Sequence, residues 1–297
     1  MEIASQSILI LVAGLVLGVL SHHHWEGRRR CRQRLALDAE RARRRVRMLE
    51  ILDHVFTELE SEIRPGVTPA DLAAFMEELA HRGGARSSVR NFRAFPAAAC
   101  ISVNDVFVNA IPSHVPIAAG DLVNVQFGVT DGCAYAHQGW AYSVGEPDTD
   151  QARLLRAGVE ALVNATRVAQ AGGVVGDLSS TIQAAALAHG CTPSHHFQGF
   201  GISEQPMEPP RIPCYSPSEE DSVRLKAGSI LSIHATLHAG TAEIEVLDDA
   251  WSVRSKDGEP AVSMSRMVLL ERDCATPLTK IRTTSLPGAA RGSGDVA

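Results

Sequence analysis

The sequence predicts an α+β fold: an antiparallel sheet covered by helices, in two pseudo-symmetric halves, behind an N-terminal transmembrane helix. Three observations predict it. Apolar residues recur at helical spacing before two stretches of strand-like residues, each about a half-domain long. A weak internal repeat matches RPGVTPADLAAFMEELAHRGG (Arg64 to Gly84) with QAGGVVGDLSSTIQAAALAHG (Gln170 to Gly190). Finally, Ile8 to Leu20 (ILILVAGLVLGVL) is an unbroken apolar run followed by Arg28, Arg29, Arg30, Arg32 and Arg34.

Taken in order, the apolar run approaches the ~20 residues of a membrane span when counted from Ile3. Glu2 precedes it and no small-residue cleavage site follows, so an anchor fits better than a cleaved signal. The arginines place the C-terminal side in the cytoplasm and act as a topology anchor against anionic lipid. Residues 1–24 are therefore read as a membrane anchor and residues 25–48 as a basic helical stalk. From Gln33 to Glu62, Leu35, Val46, Leu49, Leu52, Val55, Phe56 and Leu59 carry a helix that Pro65-Gly66 stops. Thr68-Pro69 opens the next helix, which ends at Arg82-Gly83-Gly84. Asp121 to Val144 (DLVNVQFGVTDGCAYAHQGWAYSV) reads as a hairpin turning at Thr130-Asp131-Gly132. In the second half SILSIHATLHAG, AEIEVLDDAWSVRS and AVSMSRMVLLER read as strands, and the two halves are expected to share one sheet. The folded domain is placed at residues 49–274, with a polar, disordered tail over 275–297.

The 297 residues are 45% hydrophobic, enough for a proper core, and their net charge of −6 gives no case for nucleic-acid binding. The six cysteines form no CxxC pair, so neither a disulfide frame nor a cysteine-based zinc site is expected. What remains odd is the hairpin, which carries an amide, Gln126, and an imidazole, His137, eleven residues apart on its walls.

Six motifs in sequence resemble the type I methionine aminopeptidases and the wider M24 peptidase group, whose fold is called pita-bread. They are RPGVTPADL, FPAAACISVNDVFVNAIP, GDLVNVQFGVTDG, GFGISEQPMEPPRIPCY, LKAGSILSIHATLH and WSVRSKDGEPAVSMSRMVLL, spanning roughly Leu49 to Arg272. The resemblance implies two divalent metals held by two Asp, one His and two Glu, with a bridging water as nucleophile. Carried over, the first metal Asp of the family falls on Gln126 and the second on His137. The metal His falls on Phe200, and the two Glu fall on His234 and Ser265. The family's other two reactive histidines fall on Asn109 and Met207. Every one of these positions has changed, and no carboxylate is left among the five ligand seats. Phe95, Cys100 and Trp251 match places near the family's apolar pocket for the methionine side chain.

The implied protein is a membrane-anchored, catalytically inactive scaffold of this group, with no cofactor. Its partner would be a peptide, protein or small molecule held in the former active-site cleft. Two alternatives stand beside it. In one, His137 and His234 face each other and carry out metal-free acid-base chemistry with Gln126 and Ser265 nearby, as metal-free members such as creatinase show the fold tolerates. In the other, His137 and His234 hold a single Zn(II) or Cu(II) with help from His196, Cys133 or water. A Ser265–His234 triad has no GxSxG elbow to support it. Glu219, Glu220 and Asp221 read as a solvated acidic loop near the mouth of the cleft.

Overall fold

The computed structural model describes residues 39–218 and 223–282. The anchor, most of the stalk and residues 283–297 lie outside the described residues. The chain divides into two compact units at Arg44/Arg45. In the first, residues 39–44 are helical and Glu40 accepts hydrogen bonds from both Arg43 and Arg44. No described helix is long and apolar enough to cross a membrane.

The second unit holds the expected domain. Helix α1 (45–62) buries Met48, Leu52, Val55, Phe56 and Leu59, the spacing read from sequence. Helix α2 (Pro69–Arg82) starts at Thr68, whose hydroxyl accepts from the Asp71 N–H while the Asp71 carboxylate accepts from the Thr68 N–H. This reciprocal cap stabilises the helix start by about 1 kcal/mol. Strands β1 (Arg86–Ser87), β2 (Cys100–Val103), β3 (Val106–Val108), β4 (Leu122–Thr130) and β5 (Tyr135–Ser143) complete the first half. The hairpin is β4–β5, antiparallel from Leu122↔Ser143 to Thr130↔Tyr135.

In the second half, α3 (Thr149–Val168) and α4 (Val175–Ala188) precede β6 (Thr192–Pro193), β7 (Gln198–Gly201), β8 (Glu208–Pro213) and β9 (Ile230–His238). The run AEIEVLDDAWSVRS divides into two short strands, β10 (Ile244–Val246) and β11 (Val253–Ser255), because Asp249 binds the Trp251 and Ser252 N–H groups in a turn. Then come β12 (Ala261–Leu270) and β13 (Ala275–Pro277). Gly158 lets α3 lie close on β12, since a Cβ there would meet the Met264 Sδ at 2.5 Å.

The expectation of one shared sheet needs correction. Backbone ladders build one sheet from β1, β2, β4 and β5, another in the order β13-β12-β9-β7-β8 with β6 on β9, and a small one from β10, β11 and β3. Side chains close the seam between the two large sheets. Asn124 donates to the Ala261 carbonyl at 2.9 Å and accepts from the Ser263 N–H at 2.8 Å. The Gly139 N–H donates to the Ser265 Oγ at 2.6 Å. Buried backbone groups must find partners, and here polar side chains take the place of a ladder.

A second correction concerns the C-terminus. Residues 275–282, expected to be disordered, are built into the domain. β13 pairs with β12, the Gln138 side chain donates to the Lys280 carbonyl, and the buried Arg282 forms ion pairs with Asp53 and Glu60 at 3.0 Å. The composition reads as polar, but the polar groups have specific partners on α1 and β5.

Candidate active site of the ancestral type

Strand periodicity positions the site. In β9, Ser232, His234, Thr236 and His238 alternate with Leu231, Ile233, Ala235 and Leu237, and every residue of the strand is buried. The apolar set has the character of the helix-covered face; the polar set is the other face. His234 pairs in register with Ser265 on β12, Gln126 with Gly139 across the hairpin, and His137 with Gly128. Residues at 126, 137, 200, 234 and 265, far apart in sequence, are brought to the seam by these registers.

There the His137 and His234 rings stack, their centroids 5.6 Å apart and their planes 13° from parallel. The Phe200 ring closes the group at 5.8 Å from His137 and 4.9 Å from His234. His234 Nε2 is 3.0 Å from the Ser232 Oγ, whereas the buried His137 Nδ1 has no hydrogen-bond partner. Burial pushes His137 down to about 4. His234 lies well below the ordinary imidazole range, first through burial and then through the neighbouring His137. Both rings are therefore neutral near pH 7.

The remaining polar groups are engaged. Gln126 Nε2 donates to the Ser263 Oγ at 2.6 Å, and Ser263 Oγ is 3.2 Å from Thr236 Oγ1. Ser265 Oγ accepts from the Gly139 N–H, and the His234 Nε2 is taken by Ser232, so the side chains of Ser265 and His234 form no catalytic dyad. Ser232, Thr236, Ser263 and Asn124 were not singled out from sequence. For Ser232 and Thr236 the signal was present in the alternation of LSIHATLH, whose polar positions share the face of His234.

Other expected residues fall outside the ring cluster. Phe95 and Trp251 pack edge to face at 5.2 Å, forming their own pair. Cys100 sits opposite Gln126 in the β2–β4 register, with its thiol pushed up to about 12 by burial. Asn109 takes a left-handed backbone conformation (φ 57°), and Met207 packs on the main core. Cys133 is exposed at the hairpin turn, and the His196 N–H is bound by Ser194. Neither joins the histidine pair, and no described group of three or more His, Cys, Asp or Glu is arranged to hold a metal ion.

The donor set does not fit a pair of divalent cations. An amide, two stacked imidazoles, a phenyl ring and a hydroxyl supply no negative charge, and hard dications bound side by side need several carboxylates to offset their repulsion.

The comparisons with known proteins agree with the fold. Residues 46–270 match metallopeptidase family M24. Methionine aminopeptidase 1 of Bacillus subtilis is 26% identical over 224 residues, covering 75% of this chain and 90% of that protein. Methionine aminopeptidase A of Synechocystis sp. is 29% identical over 231 residues, covering 77% and 89%. Among solved structures, the methionine aminopeptidase of Thermotoga maritima superposes with a TM-score of 0.78 at 25% identity, covering 82% of this chain and 97% of that one. The prolidase of Pyrococcus furiosus superposes with a TM-score of 0.66 at 21% identity, covering 82% of this chain and 64% of that one. The pita-bread fold, its ordered motifs and this match over most of the domain lead to one conclusion: the chain belongs to metallopeptidase family M24 and is methionine aminopeptidase-like.

Proposed function

We propose that this chain is a non-catalytic member of its family, a binding or scaffolding protein tethered to a membrane by residues 1–24. One observation carries the reading. The five positions that the resemblance assigns to metal ligands meet at the seam, yet offer only Gln126, His137, Phe200, His234 and Ser265. An activated-water mechanism needs charge to hold its metals and a base near neutral pH. The cluster supplies no carboxylate, and its imidazoles are held neutral by burial. The same burial weighs against metal-free acid-base chemistry at His137 and His234, because near pH 7 neither ring is an imidazolium that could act as the acid, both are weak bases, and no carboxylate among the described residues orients either one. The apolar run before five arginines supports the tether, with the domain in the cytoplasm.

The test is direct. Protein incubated with Co(II) or Mn(II) is expected to release no methionine from a Met-Ala-Ser peptide. Turnover that disappears in His234→Ala would overturn the non-catalytic reading. Extraction of the full chain from membranes by alkaline carbonate would overturn the tether.

A further inference from the structure

Strand register sets a further donor beside the ring cluster. Met267 stands opposite Ser232 in the β9–β12 pairing, and Ser232 stands opposite Phe200 in the β7–β9 pairing. Cross-strand partners share a face, so Met267 lies on the face that carries His234. It also meets the seam, where the His137 N–H donates to the Met267 Sδ at 3.1 Å. The His137 Nδ1 is buried without a partner, and His234 is oriented through its other nitrogen, with Nε2 3.0 Å from the Ser232 Oγ. Metal-binding imidazoles are held in this way, by a hydrogen bond from the ring nitrogen that faces away from the metal. With the Nε2–H donated to Ser232, the lone pair of His234 lies on Nδ1. Two imidazoles that share one ion at ~2.0 Å have ring centres no more than about 6 Å apart. Here they stand 5.6 Å apart. Turning the His137 ring to aim its Nδ1 costs that nitrogen no hydrogen bond. His137 and Gln126 are only half-buried, which leaves the cluster open to solvent on their side.

Two neutral imidazoles and a thioether are soft donors. They carry no charge to offset a pair of dications, but they match copper(I), a monovalent ion that favours thioether sulfur and imidazole nitrogen. A ligating imidazole must be free of its second proton, and burial already keeps both rings neutral near pH 7. The Phe200 ring, 4.9 Å from His234 and 5.8 Å from His137, adds an aromatic neighbour that favours a cation. We propose that the seam binds one copper(I) ion through His137, His234 and Met267, with Ser232 holding His234 in position. The ligand named here rests on the non-catalytic reading of the same seam.

The full chain in detergent is titrated with copper(I) under ascorbate and without oxygen, in competition with bicinchoninate. Cys31→Ser, Cys133→Ser, Cys274→Ser, His22→Ala, His23→Ala and His24→Ala remove competing donors away from the seam. One ion per chain is expected. Met267→Leu and His137→Phe are each expected to weaken binding at least tenfold, and Ser232→Ala about tenfold. Unchanged near-UV circular dichroism checks that these variants are folded. X-ray absorption of the copper-loaded protein with its seam intact is expected to show imidazole nitrogen and one sulfur, the sulfur absent in Met267→Leu. Equal affinity in folded Met267→Leu, a spectrum without sulfur, or Zn(II) bound as tightly as copper(I) overturns the proposal. A chain that binds no copper(I) and releases no methionine overturns it too, and leaves the non-catalytic reading standing. Methionine release with Co(II) or Mn(II) overturns that reading instead, whatever the copper result.

Discussion

Two buried polar clusters in this domain solve the same problem in opposite ways. At the C-terminal segment, Arg282 is buried with two counter-charges, Asp53 and Glu60, 3.0 Å away, and the Phe56 ring lies 5.1 Å from its guanidinium. At the seam, His137 and His234 lie side by side with no counter-charge and are pushed neutral. The fold can bury charge where it supplies partners. At the seam it supplies none, so the difference lies in the local residues and not in the scaffold.

Acid gives the largest expected contrast. Folded His137 and His234 resist protonation, whereas in the unfolded chain each takes up a proton below about 6.5. The unfolded state then binds more protons, so stability falls as the pH drops from about 6.5 towards about 4. His137 contributes about 1.4 kcal/mol per pH unit, so roughly 2 kcal/mol between pH 6.5 and 4.5, and His234 adds a loss in the same direction. Urea unfolding across this range is expected to show that slope, reduced in His137→Leu/His234→Leu. A residual slope is expected from His238, which burial also lowers to about 4. An unchanged slope in the double variant would mean that the seam rings are already charged.

The ionic cluster is the next lever. Arg282→Met removes the cation and leaves two carboxylates, and is expected to cost about 3 kcal/mol at neutral pH. Asp53 and Glu60 keep some solvent access, which places the loss at the low end of buried-pair breakage. A loss below 1 kcal/mol would class the pair with exposed ion pairs and erase the contrast.

Ser265→Ala is the smallest probe and the most local. It leaves the Gly139 N–H without its acceptor at a buried position, and a loss of about 1–3 kcal/mol is expected. The acid slope should be unchanged, because neither imaging of charge nor ring stacking involves this hydroxyl. A steeper or flatter slope would show that Ser265 is coupled to His234 after all.

Much of the scaffold was legible in sequence because it rests on local rules. Thr68 and Asp71 form the cap their spacing implies, and the β4–β5 hairpin turns at Asp131-Gly132 as its residues require. The candidate site was legible only through the resemblance, since nothing local links Gln126 to His234. The seam and the C-terminal segment were not legible. Asn124 bonding to Ala261 and Ser263, and Arg282 bonding to Asp53, join residues more than a hundred positions apart in contacts that leave no periodic trace.

By itself, then, the sequence determined the helices, the hairpin, the family and the absence of a carboxylate at positions 126, 137, 200, 234 and 265. These follow from residue identity and short-range spacing. Tertiary structure alone decided that His137, Phe200 and His234 pack ring against ring, that side chains and not a ladder join the two large sheets, and that Arg282 is paired with Asp53 and Glu60. Strand register and burial set these, because an imidazole's charge depends on which dipoles and ions the folded chain places beside it.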